Sequence, residues 1–126
     1  MMTNALQKSA EWLERQRTLH ATSNVEYVRG SQSVSLPATI GKTTFEVDDG
    51  LGVLVRFESR DFLILARDLI IDDQPAFPQR GDRIQETDGV QVFVYEVTAP
   101  GKEPCWRYSD PFRNTFRIHT KHVDGP

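Results

Sequence analysis

The sequence predicts a mainly β fold, a small β-barrel or sandwich of about seven strands led by one N-terminal α-helix. Three observations carry this. Helical periodicity is confined to the first twenty residues or so; alternation of apolar and polar residues takes over after Asn24; and turn residues then recur at spacings of roughly ten residues. A length of 126 residues, 38% hydrophobic and 26% charged, suits one globular domain, residues 1–126, with a helix at 4–19 and a barrel at 24–123.

From Asn4 to Leu19 there is neither Gly nor Pro, and Ala5, Leu6, Trp12, Leu13 and Leu19 form a narrow apolar stripe. Asn4 is the candidate N-cap, and the polar run after His20 ends the helix. A helix of this length is marginal alone in water and must dock on something. Val25 to Val28 and Val34 to Ile40 read as a hairpin around Gly30-Ser31, with Pro37 pushing the second strand towards an edge or a bulge. Gly41-Lys42 reads as a turn and Thr43 to Val47 as a short separate strand, closed by Asp48-Asp49-Gly50. Val53 to Ile64 alternates as one long strand, with a break expected near Ser59 to Asp61.

Ala66 to Ile70 reads as a short turn, and residues 72–82 as a loop by their Pro, Gly and Asp content. Asp88-Gly89 is the strongest hairpin signal, joining Ile84–Glu86 to Val90–Val97. Residues 99–114 read as a long irregular stretch containing Pro100, Pro104 and Pro111. Thr115 to Val123 supplies the closing strand, with Phe116, Ile118 and Thr120 on one face and Arg117, His119 and Lys121 on the other.

Composition excludes several classes of chemistry. The single Cys105 permits no intrachain disulfide and no paired-thiolate metal site, and a reducing compartment fits it best. Polar residues interrupt the N-terminal run before Glu11, and no stretch approaches the roughly 18 to 20 apolar residues that span a bilayer, so a cytoplasmic chain without signal or anchor is expected. His119 and His122, three apart, would share a helix face but point oppositely from a strand, so no metal is expected there. The acidic residues Glu46, Asp48, Asp49, Asp72 and Asp73 lack calcium-loop spacing. No nucleophile elbow and no phosphate-binding glycine loop occurs, so neither an enzyme nor a cofactor is expected. A net charge of −3 speaks against a chain that coats nucleic acid.

The stretch from Cys105 to Asn114 concentrates three aromatics and two arginines between prolines. Loops of about 15 residues inside a compact domain are usually functional or disordered, and aromatic residues argue against disorder. Trp106, Arg107, Tyr108, Phe112 and Arg113 are therefore candidate partner-binding residues, since these types dominate binding hot spots. The competing reading has Trp106 and Phe112 folding back to cap the barrel, with Tyr108 bonded to backbone. Arg107, Arg113, Arg117 and Lys121 against Asp110 and Asp124 make residues 105–126 mildly basic on an acidic body. That asymmetry would serve head-to-tail assembly or, as the alternative, a single-stranded nucleic-acid-binding barrel of the oligonucleotide-binding type. An enzyme with a pocket at the barrel mouth is a third reading.

The run Pro78-Gln79-Arg80-Gly81-Asp82-Arg83-Ile84, then Asp88-Gly89, then Tyr95-Glu96-Val97, resembles the small head-tail joining proteins of tailed bacteriophages and prophages. The motif spans about 20 residues, and size, leading helix and strand-rich remainder are similar too. The resemblance carries over only to the scaffold positions Gly81, Asp82, Ile84, Gly89, Tyr95 and Val97. It implies a structural virion protein, made in the host cytoplasm, that forms a homo-oligomeric ring between the portal or connector and the tail. It further implies partners among other virion proteins; no membrane is expected from the hydropathy, and the few cations speak against nucleic acid. The long loop through Trp106 to Pro111 lies outside that family pattern.

Overall fold

The computed structural model describes residues 22–123; the helix expected at 4–19 lies outside them. The described chain runs β1 (Thr22–Arg29), β2 (Gln32–Asp48), β3 (Leu54–Leu65), β4 (Ile70–Ile71), β5 (Gln74–Pro75), β6 (Arg83–Asp88), β7 (Gln91–Val97), β8 (Trp106–Tyr108) and β9 (Thr115–Val123). Seven of these form one antiparallel sheet in the order β3-β2-β1-β6-β7-β9-β8, and β9 also pairs with β3, so six strands close into a barrel with β8 added to the wall. Closure removes most strand edges, which is the usual means of protecting a small all-β chain from edge-to-edge association.

The inward positions follow from the alternation. Val25 and Tyr27 of β1, Leu36 and Ala38 of β2, Phe62 and Ile64 of β3, Ile84 of β6, Tyr95 and Val97 of β7, and Phe116 and Ile118 of β9 form one buried cluster, joined by Leu69. Each fully buried side chain of this kind contributes about 1.5 to 3 kcal/mol. The Arg60 guanidinium lies over the Phe62 and Tyr95 rings, 5.7 and 5.0 Å from their centroids, and donates to both Glu86 carboxylate oxygens.

Turn chemistry places the hairpins. Gly30 and Gly89 take positive φ as the first of two loop residues, the placement of a type II′ turn. The β6–β7 turn is Gly89-Val90, one residue beyond the expected Asp88-Gly89. Asp72 and Asp73 both take positive φ between β4 and β5, as a type I′ turn demands, so the expected 72–82 loop contains a small hairpin. A 3-10 turn at Ala66–Asp68 fits the expected short turn there.

Three expectations are corrected. Gly41-Lys42 is no turn: β2 runs through it unbroken, because a Cβ at Gly41 would stand 3.3 Å from Leu63 Cδ1 and 3.4 Å from Arg117 Nη1, so the glycine makes room for a neighbouring side chain instead. β3 does not break at Ser59–Asp61, since those polar residues turn outwards into a hydrogen-bonded cluster. The 99–114 stretch is not wholly irregular, because Trp106–Tyr108 pairs with Phe116–Ile118. Pro37 sits in a strand with two neighbours, yet β2 meets β3 only from Thr39 onwards, so at Pro37 only β1 lies alongside.

β2 and β3 also extend past the barrel. β1 leaves β2 at Thr39 and β9 leaves β3 at Arg60, while β2 and β3 stay paired out to Asp48 and Leu54. The result is a two-stranded arm whose turn is held by Asp48 and Asp49, which accept from the backbone N–H groups of Gly50 and Leu51 at 2.8 and 2.7 Å.

Candidate functional site

β8 and the loop after it bring the five candidate residues to one part of the wall. The register sets Trp106 opposite Ile118 and Tyr108 opposite Phe116, so both rings turn to the apolar side of β9. Trp106 meets Phe116 edge-on at 4.9 Å, Tyr108 stacks on Phe116 at 5.6 Å, and Phe77 stacks on Trp106 at 5.5 Å. These two of the five are half-buried and hold β8 to the barrel. Arg107, on the other face of β8, stands directly across from Arg117.

The loop 109–114 is tied down by one carboxylate. Asp110 accepts from the backbone N–H groups of Phe112, Asn114 and Thr115, and Arg113 adopts a φ of 60°, a left-handed conformation that a non-glycine residue takes at a cost of about 1 to 3 kcal/mol. The clamp leaves Phe112 79% exposed. Phe112 therefore does not fold back as a cap, whereas Trp106 does pack inwards. Arg107 and Arg113 are exposed, and neither has an ion-pair partner among the described residues.

Sequence reasoning missed Phe77, which is 58% exposed beside Trp106. Its context of prolines and acidic residues reads as loop, and only the fold brings it to β8. It also missed the tip of the arm, where Leu51 and Leu54 are 86% and 66% exposed.

Two buried polar clusters brace these surfaces. On the outer face of β3, Asp61 is fully buried; its Oδ1 accepts from Ser59 Oγ at 2.5 Å and from His119 Nδ1 at 2.9 Å, and its Oδ2 accepts from Arg117 Nη1 at 2.7 Å and from the Thr43 hydroxyl. Burial works against the charge on Asp61, but donors from His119, Ser59, Thr43 and Arg117 outweigh it and hold the carboxyl well below its usual range. Inside the barrel, the Tyr27 hydroxyl donates to Asp82 Oδ2, which also receives Arg29 Nη2 at 2.8 Å and the Gln79 N–H at 3.0 Å. Burial, and then the neighbouring Asp82 carboxylate, push the Tyr27 phenol far above its usual range.

Neither cluster is arranged for nucleophilic catalysis. Ser59 and Asp61 both face the same nitrogen of His119, so the imidazole cannot relay a proton between them. Burial pushes the half-buried Cys105 thiol up, which makes it a poor thiolate source. His119 and His122 do face opposite sides of β9, His119 against Phe45 and His122 against Tyr95. No cluster of three or more metal-ligating side chains occurs among the described residues. Nor is any helix among them long and apolar enough to cross a membrane.

Residues 3–125 match the family described as phage head-tail joining protein. The chain belongs to that family. No curated protein matches the chain. The match reaches far beyond the run from Pro78 to Val97 and takes in the arm, β8 and the loop from 99 to 114. As a head-tail joining protein, the chain is a structural phage protein that interacts with other virion proteins.

Proposed function

We propose that the chain is a subunit of a homo-oligomeric ring that docks beneath the portal on one side and receives the tail on the other. On this reading it acts by contact alone and catalyses nothing, and its place is the virion after assembly in the host cytoplasm. The observation that carries the reading is the surface of β8 and the following loop. Arg107 and Arg113, exposed and without ion-pair partners among the described residues, share that stretch with the exposed Phe112, and Asp110 ties down the loop that carries Phe112 and Arg113. Arg107 and Arg113 would meet the acidic surface of a neighbouring protein, and Phe112 would fill an apolar site on it. Trp106 and Tyr108 support this surface from behind. Repetition around a ring multiplies weak individual contacts, so the free chain is expected to be monomeric.

The test is the double substitution Arg107→Glu with Phe112→Ala. The variant should keep the wild-type circular dichroism spectrum and melting temperature yet fail to join heads to tails in an assembly assay. Normal joining by the folded variant would overturn the proposal. Single-stranded oligonucleotide offered at low and moderate salt should not bind. Binding that weakens steeply with salt would favour the nucleic-acid-binding alternative.

A further inference from the structure

The arm formed by β2 and β3 is marginal as it stands. Two-stranded hairpins are barely stable in water, and this one carries Leu51, Val53, Leu54 and Val55 open to solvent at and beside its tip. One face is mainly polar, with Glu46 accepting from Arg56 at 2.7 Å, Lys42 near Glu58, and Leu54 opposite Asp48 at its end. The other face carries Phe45 stacked on Phe57 at 5.4 Å, and Val47 against the backbone of Gly101, so residues 99–104 cover only part of it.

We propose that residues 4–19 of the same chain cover this open apolar tip. The path of the chain supports it. β1 runs antiparallel to β2 and begins at Thr22, opposite Thr39, just where the β2 edge loses its neighbour. Followed backwards from Arg29 to Thr22, β1 thus points along β2 from the barrel towards the tip of the arm. From Ile40 to Asp48 the arm rises about 26 Å at about 3.3 Å per residue. A helix over 4–19 would measure about 23 Å at about 1.5 Å per residue, which matches that span. The sequence supplies a complementary stripe in Leu6, Trp12 and Leu13. Each element is marginal alone, and each has an apolar face that the other can bury.

The proposal is independent of the ring reading and is tested on the free full-length chain. Amide hydrogen exchange is followed at residues 53–57 in the wild type and in the double variant Leu6→Asp, Leu13→Asp. The variant should speed exchange in the arm at least about tenfold, with β1 and β6 unchanged. Equal arm exchange in the two proteins would overturn the proposal. So would arm protection that disappears on dilution of both proteins, which would assign the tip to a second copy. In the reverse direction, Val55→Asp, on the apolar face opposite Val47, should speed exchange across residues 5–19, and no change there would count against the proposal equally.

Discussion

Arg117 Nη1 reaches Asp61 Oδ2 at 2.7 Å although the strand register pairs Asp61 with His119 and Arg117 with Leu63. The guanidinium crosses diagonally past Gly41, whose missing side chain leaves the path open. One carboxylate thus ties β9 to the two strands at the root of the arm, through Thr43 on β2 and Ser59 on β3.

Removing that carboxylate leaves the part-buried Arg117 guanidinium and three donors without their acceptor. Asp61→Ala should destabilise the chain by about 3 to 5 kcal/mol, read as a fall in the urea midpoint. The same group gives an acid dependence. Its folded value lies below its unfolded one, so its stabilisation is fully present above the ordinary aspartate value of about 3.9 and is lost as pH falls below it towards the depressed folded value. Asp61→Asn should show a shallower loss of stability in acid than the wild type.

Tyr27 gives the opposite slope. Its folded value lies above its unfolded one, so its contribution is complete below about pH 10 and declines as pH rises beyond that, where only the unfolded chain ionises. Tyr27→Phe should cost about 1 to 3 kcal/mol at neutral pH, since it removes a buried donor from Asp82. It should also flatten the alkaline limb of the stability profile, and an unchanged limb would refute the assignment to Tyr27.

At Gly41 the limit is space. Gly41→Val would press on Leu63 and on the Arg117 guanidinium, at an expected cost of about 1 to 3 kcal/mol in thermal unfolding. Gly30→Ala meets no neighbouring atom within 4 Å, and its cost comes from backbone strain alone.

Trp106 and Phe112 should separate packing from contact. Trp106→Ala removes a ring that touches Phe77, Tyr108 and Phe116 and should cost about 2 to 4 kcal/mol. Phe112→Ala should change stability by no more than about 0.5 kcal/mol, because that ring is exposed. Any loss of head-tail joining in the Phe112 variant then reports on partners.

Much of the barrel was legible because each strand buries one face. The alternation at Val25–Tyr27, Leu36–Ala38, Phe62–Ile64 and Phe116–Ile118 maps directly onto the buried cluster. The errors have a common cause. Gly41, Ser59 and Asp61 read as breaks because Gly and polar residues end strands in isolation, whereas here they are cross-strand neighbours in one cluster. β8 was hidden for the same reason: three residues carry no periodicity, and only pairing with β9 makes them a strand. Of the candidate site, the sequence marked residues 105–114 as a segment rich in aromatic and basic side chains, but whether a ring there turns inwards or outwards depends on the β9 register and the Asp110 clamp.

Because the wall of the barrel is hydrogen-bonded all the way round, crowding many copies into one place offers little opportunity for sideways strand exchange. Growth into fibrils is thereby discouraged at the girth. Contacts at the girth are left to side chains, whose fit has a definite orientation, and open strand edges remain on the arm and on β8.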